Sequence, residues 1–245
     1  MIIVNEREVI TMRRKEFLMV LDTETANGVD CPLLYDIGYA ICDRQGNIVL
    51  TRSFVVAEIF LDCKDLMQSA YYAEKIPMYW EDIKAGKRQL KGFHNIRKQI
   101  KADMKEYGVK KVGAYNMGFD KKALNNDIRY LTKSFLRWFF PYGTEFFCIW
   151  NMACTSILNR TSFIKFAMEN GYVSEKGNIQ TSAEIAYRYI TKDTDFIESH
   201  TGLEDVTIEV AIMAYCYRQH KKFDNSIKNN CWRTVTKFAK DKAFI

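Results

Sequence analysis

The sequence of 245 residues is poor in structure-breaking residues, with three prolines and twelve glycines. This composition excludes collagen-like, linker-rich and disordered chains. Long apolar runs are also lacking, because the most apolar stretch, residues 135–158, is interrupted by Arg137, Pro141 and Glu145. No membrane-spanning helix and no membrane partner are therefore expected.

Cysteine pairs with regular spacing are missing as well. The seven cysteines are odd in number and include no Cys-x-x-Cys, which predicts neither a disulfide framework nor a zinc ribbon. Residues 1–15 lack the apolar core and cleavage site of a signal peptide. We expect a protein of the reducing cytoplasm with small buried cysteines.

Basic residues outnumber acidic ones, 36 Lys+Arg against 30 Asp+Glu, for a net charge of +6. Hydrophobic residues make up 48% and charged residues 27%, as in ordinary globular proteins. Mild basicity together with four Trp, fourteen Tyr and sixteen Phe suits a nucleic-acid binder, but net charge alone specifies no partner.

The order of predicted elements indicates one α/β domain. The apolar run 17–21 predicts a central strand, and residues 35–56 predict a hairpin beside it. Residues 63–107 have helical patterns with breaks near Pro77 and Gly86. Further helices alternate with short strands at 109–115 and 146–150, and the basic tail is expected to pack only partly.

Two carboxylates end the first predicted strand. Asp22 and Glu24 are two residues apart, so both side chains can face one spot, and ligand sites favour the C-terminal ends of strands. Roughly one Asp-x-Glu is expected by chance in this composition, so this motif alone is a weak signal.

A second acidic motif follows a later strand. Asn116 and Asp120 lie where a predicted helix begins, and Asp120 could serve a site or complement the helix dipole. Lys121 and Lys122 come next and could contact substrate phosphates or lie on a solvated helix face. The neighbouring Phe119 is predicted to be a core residue.

The third motif contains one of only three histidines. His200 precedes Asp205 by five residues, at the start of the last long predicted helix. Taken alone, this pair is better explained as an exposed histidine and a first-turn aspartate. The other two, His94 and His220, lie in lysine-rich surroundings and are predicted to be surface residues.

Taken in order, the three motifs match one enzyme family. Over about residues 16–218 the chain resembles the DEDD-type 3′→5′ exonucleases, in the DnaQ-like subgroup whose last motif carries a histidine. The motifs are Asp22-x-Glu24, Asn116-x-x-Phe119-Asp120 and His200-x-x-x-x-Asp205. The chain departs from the family where Tyr115 replaces a common histidine, and where Thr25-Ala26-Asn27-Gly28 follows the first motif.

The resemblance implies a ribonuclease H-like α/β fold, a mixed five-stranded sheet flanked by helices on both faces. It would occupy one exonuclease domain, 1–245, with a motif-bearing core at 16–218, an N-terminal extension 1–15 and a basic tail 221–245. The implied activity is metal-dependent 3′→5′ hydrolysis at the 3′ ends of single-stranded DNA or RNA, releasing nucleoside 5′-monophosphates. The implied partners are these 3′ ends and a polymerase or repair protein.

The resemblance also assigns the site. Gathered carboxylates repel one another unless cations neutralise them, and hard oxygen ligands suit Mg²⁺ or Mn²⁺. Two such ions would be held by Asp22, Glu24, Asp120 and Asp205, with His200 as the general base. Backbone groups around Thr23 and Thr25, together with Asn116, would bind substrate.

Two other interpretations stay open at this point. A non-catalytic nucleic-acid-binding or scaffold domain on the same fold would usually lack one or more of the acids, and all are present here. A different phosphoryl-transfer enzyme would cleave internally rather than at an end. The sequence does not distinguish DNA from RNA as the substrate, since no residue can be assigned to contacts with the 2′-hydroxyl.

Overall fold

The computed structural model describes residues 16–245, which form one mixed sheet with helices packed on both faces. The strands are β1 (Leu18–Ala26), β2 (Leu33–Cys42), β3 (Ile48–Val56), β4 (Gln89–Lys91), β5 (Lys111–Ala114) and β6 (Glu145–Cys148). The first five helices are α1 (Ala57–Phe60), α2 (Lys64–Gln68), α3 (Ile76–Lys84), α4 (Phe93–Glu106) and α5 (Met117–Leu131), with a 3₁₀ turn at Ala73–Lys75. They are followed by α6 (Ile149–Ser156), α7 (Thr161–Glu169), α8 (Ala183–Thr191), α9 (Gly202–Arg218) and α10 (Trp232–Asp241).

Strand β1 lies at the centre of the sheet, whose order is β4-β3-β2-β1-β5-β6. It pairs antiparallel with β2 and parallel with β5, while β2 and β3 form the predicted hairpin. A strand covered on both faces needs apolar residues at every position, which is why the run 17–21 identified it.

Alternate residues of β1 supply two separate cores. Met19 and Leu21 pack against α1 to α5, whereas Leu18 and Val20 pack against α6 to α10. All four side chains are fully buried, and each such burial stabilises the fold by about 1.5–3 kcal/mol. The predicted α/β architecture with helices on both faces is confirmed.

Three details differ from the sequence-based expectations. The sheet has six strands rather than five, because Gln89–Lys91 adds a short parallel strand at the edge, beside β3, within a segment predicted to be helical. Three residues are too few to show a period of their own. The strand expected at 146–150 ends at Cys148, where α6 begins. The core assignment of Phe119 is wrong, since its side chain is half-buried and belongs to neither core.

The tail packs more closely than expected. Val235 and Ala239 of α10 are fully buried in the second core, since their four-residue spacing places them on one face of a helix that is otherwise basic. Residues 225–230 before this helix are mainly exposed. The N-terminal extension 1–15 lies outside the described residues, and the single-domain assignment stays a prediction. In the described part of the chain, no helix is both long and apolar enough to span a membrane.

The start of α9 contacts β2 through the backbone. A Cβ atom on Gly38 would lie 2.2 Å from the carbonyl carbon of Gly202, so both positions require glycine. The Gly202 N–H donates to Oδ2 of Asp36 at 2.9 Å, and that oxygen lies 3.3 Å from Arg88. This junction fixes the first turn of α9, and with it Asp205, beside the strands that carry the other acids.

Candidate metal and nucleic-acid site

Three of the predicted acids meet along the C-terminal half of β1. Asp22 and Glu24 lie on this strand, and Asp205 reaches them from the first turn of α9. Their carboxylate oxygens lie within 4.8 Å of one another. A β-bulge follows Glu24, a feature that often re-aims side chains near active sites.

Asp120 joins this group from α5. Its Oδ1 accepts a hydrogen bond of 2.8 Å from the hydroxyl of Thr23, so the residue between the two β1 acids holds the fourth acid. The negative charge of Asp120 contributes to the raised pKa of Asp22. The structure thus brings all four predicted acids together. The prediction for Thr23 concerned backbone groups that bind substrate, whereas in the structure its side chain contacts an acid.

A fifth carboxylate was not predicted. Glu209 lies one turn after Asp205 on α9, is 2% exposed and accepts a 3.0 Å hydrogen bond from the backbone N–H of Tyr115. Burial raises the pKa of Asp22 most, and among the neighbouring charges that of Glu209 has the largest effect. An acid within the apolar stretch 206–214 of α9 is the sequence signal that could have identified it.

The clustered acids resist ionisation. Burial, reinforced by neighbouring negative charges, raises the pKa of Glu24 to about 8. Burial raises the pKa of Asp120 to about 7 against the opposing effect of the Thr23 hydrogen bond, and that of Asp205 to about 6. Burial and the neighbouring acids also raise the pKa of Asp22 well above its usual range. No ion pair with a residue in 16–245 compensates any of these four groups.

His200 lies beside the acids rather than among them. Its ring stacks on Tyr72 with centroids 4.7 Å apart, and Nδ1 lies 4.0 Å from Oε2 of Glu198. Lys75 donates to the carbonyl oxygens of Ser199 and His200 at 2.5 and 3.2 Å. Burial, then the Lys75 charge, lowers the pKa of His200, which favours the neutral imidazole. Tyr72, Lys75 and Glu198 were not predicted, since no motif marks them.

The other predicted substrate contacts surround the same end of the sheet. Thr25 is half-buried and follows the bulge in β1. Asn116 is exposed immediately before α5. It lines a cavity of about 510 Å³ together with Trp150 and Trp232. His94 and His220 are exposed, as predicted.

The donor set fits a hard divalent cation. Oxygen ligands bind Mg²⁺ or Ca²⁺ at about 2.0–2.6 Å, so two ligands of one ion can be as much as about 4–5 Å apart, as these carboxylate oxygens are. Oxygen-only ligands suit Mg²⁺ and Mn²⁺. A cation would also remove the repulsion that raises the pKa values of these acids.

No protein-family model and no curated protein matches the sequence, but solved structures match its backbone. Exonuclease I of E. coli in complex with a dA16 oligonucleotide aligns with a TM-score of 0.51 at 11% identity, covering 84% of this chain and 42% of that chain. This chain has the fold of the part of exonuclease I that it matches. The ribonuclease H-like fold implied by the sequence resemblance is thereby confirmed.

Two further structures give similar alignments. The E. coli enzyme in complex with a 5cy-dT13 oligonucleotide aligns with a TM-score of 0.49 at 10% identity, covering 84% of this chain and 41% of that chain. Exonuclease I of Methylocaldum szegediense aligns with a TM-score of 0.49 at 17% identity, with the same coverage of both chains. The chain therefore spans about two fifths of the length of exonuclease I.

The raised pKa values predict how stability depends on pH without metal. The pKa of Glu24 is 4.5 in the unfolded reference and about 8 when folded, so the folded state binds more protons between these values. As the pH rises through this range, the free energy of unfolding falls by about 1.4 kcal/mol per pH unit for each proton that only the folded state binds. Thermal melts in EDTA should therefore show a falling melting temperature between about pH 5 and pH 8.

A matched variant tests the origin of that slope. Glu24→Gln should have a shallower dependence on pH, and Mn²⁺ should restore the melting temperature of the wild type at the alkaline end. A wild-type slope that Glu24→Gln leaves unchanged would contradict the assignment to the acid cluster.

Proposed function

We propose that this chain is a metal-dependent 3′→5′ exonuclease that hydrolyses single-stranded DNA or RNA from the 3′ end. The observation that carries the proposal is the group of carboxylates in the C-terminal half of β1, which have raised pKa values and form no ion pair with a residue in 16–245. Keeping several acids so close together destabilises the metal-free fold, and a module that only bound nucleic acid would have no use for them. The exonuclease I fold, solved elsewhere with a dA16 oligonucleotide, supports the substrate class.

Each side chain then has a role. Asp22, Glu24, Asp120 and Asp205 would hold two Mg²⁺ or Mn²⁺ ions, whose chemistry there would be to lower the pKa of a bound water and to neutralise phosphate charge. Thr23 holds Asp120 in position through its hydroxyl.

His200 accepts the proton of the attacking water at a ring nitrogen. The water oxygen bonds to phosphorus while the bond from phosphorus to the 3′-oxygen of the preceding nucleotide breaks. That oxygen leaves with the bonding electron pair and takes up a proton from solvent. The products are a nucleoside 5′-monophosphate and a strand shortened by one nucleotide.

The remaining parts of the proposal concern substrate and setting. Backbone groups near Thr23 and Thr25, with Asn116, hold the terminal nucleotide. A polymerase or repair protein is the proposed partner and the cytoplasm the proposed compartment. All seven cysteines are free, which suits that compartment.

A direct assay uses 5′-labelled single-stranded DNA and RNA with Mg²⁺, Mn²⁺ or EDTA. We expect a ladder of products shortened one nucleotide at a time from the 3′ end, absent with EDTA. Fragments from internal cleavage would indicate another phosphoryl-transfer enzyme on this fold. Metal-independent binding without any shortening would indicate a non-catalytic binding domain.

A further inference from the structure

A second face of the molecule combines aromatic rings with unpaired cations. A cavity of about 560 Å³ opens between α4, α5 and the segment 136–146. We call it the aromatic groove and define it by Arg97, Lys101, Lys121, Trp138 and Tyr142. None of the residues that line it is acidic.

The cations of the groove have no acidic partner in the part of the chain that the structure describes. Arg97, Lys101 and Lys121 form no ion pair there. The half-buried Lys101 makes no hydrogen bond either, and burial, then the charge of Arg97, lowers its pKa. Three cations that line one groove without an acidic partner in the described part of the chain favour a negatively charged ligand.

The segment 136–146 adds exposed aromatic side chains to the groove. Trp138 is 62% exposed and Tyr142 is fully exposed. The backbone that carries them is held firmly: Arg97 donates to the carbonyl oxygens of Trp138 and Phe139, and the side chain of Asn125 accepts from the Phe139 N–H. Rings presented from a fixed backbone can stack bases at a small entropic cost.

The position of the groove connects it to the acid cluster. Lys121 directly follows Asp120 on α5, and its ammonium lies 4.3 Å from the ring centroid of Phe146. Between Lys121 and Asn125 the groove follows α5 for about 6 Å. Asp120 and Lys121 thus lie in the same turn of α5, one at the acid cluster and the other in the groove.

We propose that the aromatic groove binds the part of a single-stranded nucleic acid upstream of the nucleotide being removed. Its phosphates contact Lys101 and Lys121, and its bases stack on Trp138 and Tyr142. The upstream direction rests on the proposed function, whereas binding itself does not. Nucleic acid is favoured over a peptide because the groove combines cations, which can contact phosphates, with aromatic rings, on which bases can stack. In addition, one helix carries both Lys121 and Asp120.

The test measures binding without hydrolysis. The full-length protein in EDTA is titrated into labelled oligothymidylates of about 4 and about 16 nucleotides, and fluorescence anisotropy is recorded. We expect Trp138→Ala to weaken binding of the longer strand roughly tenfold and Trp138→Phe to retain most of the affinity. Lys101→Ala should reduce the slope of log affinity against log salt by about 0.7.

The controls separate this inference from the proposed function. Lys98→Ala, an exposed lysine on the same helix outside the groove, should bind as the wild type does, and the shorter strand should not distinguish the groove variants. Asp120→Asn should lose hydrolysis with Mn²⁺ but keep the difference between long and short strands in EDTA. Unchanged binding of the long strand by Lys101→Ala and Trp138→Ala would overturn the proposal and assign the groove to a protein ligand.

Discussion

Asp120→Asn is expected to lower turnover of a single-stranded oligonucleotide by roughly 10³-fold, since a metal ion contributes several kcal/mol to the transition state and about 1.4 kcal/mol corresponds to a factor of ten. The amide keeps the shape of the side chain and an oxygen that can accept the Thr23 hydrogen bond. It removes the negative charge that a cation needs. The measurement is the single-turnover rate at saturating Mn²⁺.

The same substitution should stabilise the metal-free protein. Burial raises the pKa of Asp120 to about 7, so at neutral pH the folded state either binds a proton or buries a charge. Asparagine avoids both. Each kcal/mol recovered should raise the melting temperature in EDTA by roughly 2–4 °C for a domain of this size.

Asp127→Asn is the matched control. Asp127 lies on the same helix, is fully buried and has a pKa raised to about 8, mainly by burial. It accepts a hydrogen bond from the backbone of Leu34, and no acid of the cluster is among the charges that raise its pKa. Both variants should melt higher in EDTA, but only Asp120→Asn should lose activity and stabilisation by metal. Normal turnover in Asp120→Asn, or its loss in Asp127→Asn, would contradict the assignment of the metal ligands.

The sequence predicts an element well when all of its residues lie in a regular pattern of burial. β1 was identifiable because both of its faces are buried. The hairpin was identifiable because its strands alternate apolar and other residues and turn residues lie between them. β4 was not identifiable because it depends on the edge of β3 for its hydrogen bonds. The α10 helix was underestimated because its basic composition hides the two buried residues Val235 and Ala239.

The sequence predicted the acids of the site but not the residues that surround them. The four acids come from three separate stretches of the sequence. Asp22 and Glu24 follow the apolar run of a strand, and Asp120 and Asp205 lie at the start of a helix, where spacing carries information. Tyr72 and Lys75 come from a segment without such a signal, and only folding places them against the loop of His200. Glu209 gave a signal that was overlooked, namely a charge within an apolar stretch of helix.

His200→Ala should lower the turnover number by roughly 10²–10⁴-fold, the usual range for the loss of a general base. Burial and the charge of Lys75 lower the pKa of His200, so at neutral pH the wild-type ring is free to accept a proton. Metal binding should persist, because the four carboxylates are untouched. The measurements are the pH dependence of turnover and Mn²⁺ titration followed by thermal melts.

The backbone of His200 provides a control for distortion of its loop. Its φ of +48° lies in the left-handed region, which asparagine adopts more readily than alanine. His200→Asn should therefore keep the loop in place and still lose the base, so both variants should be equally slow. The exposed His94→Ala and His220→Ala should turn over normally. An active His200→Asn beside an inactive His200→Ala would show that the residue maintains the loop conformation, and proton transfer would then belong to another group.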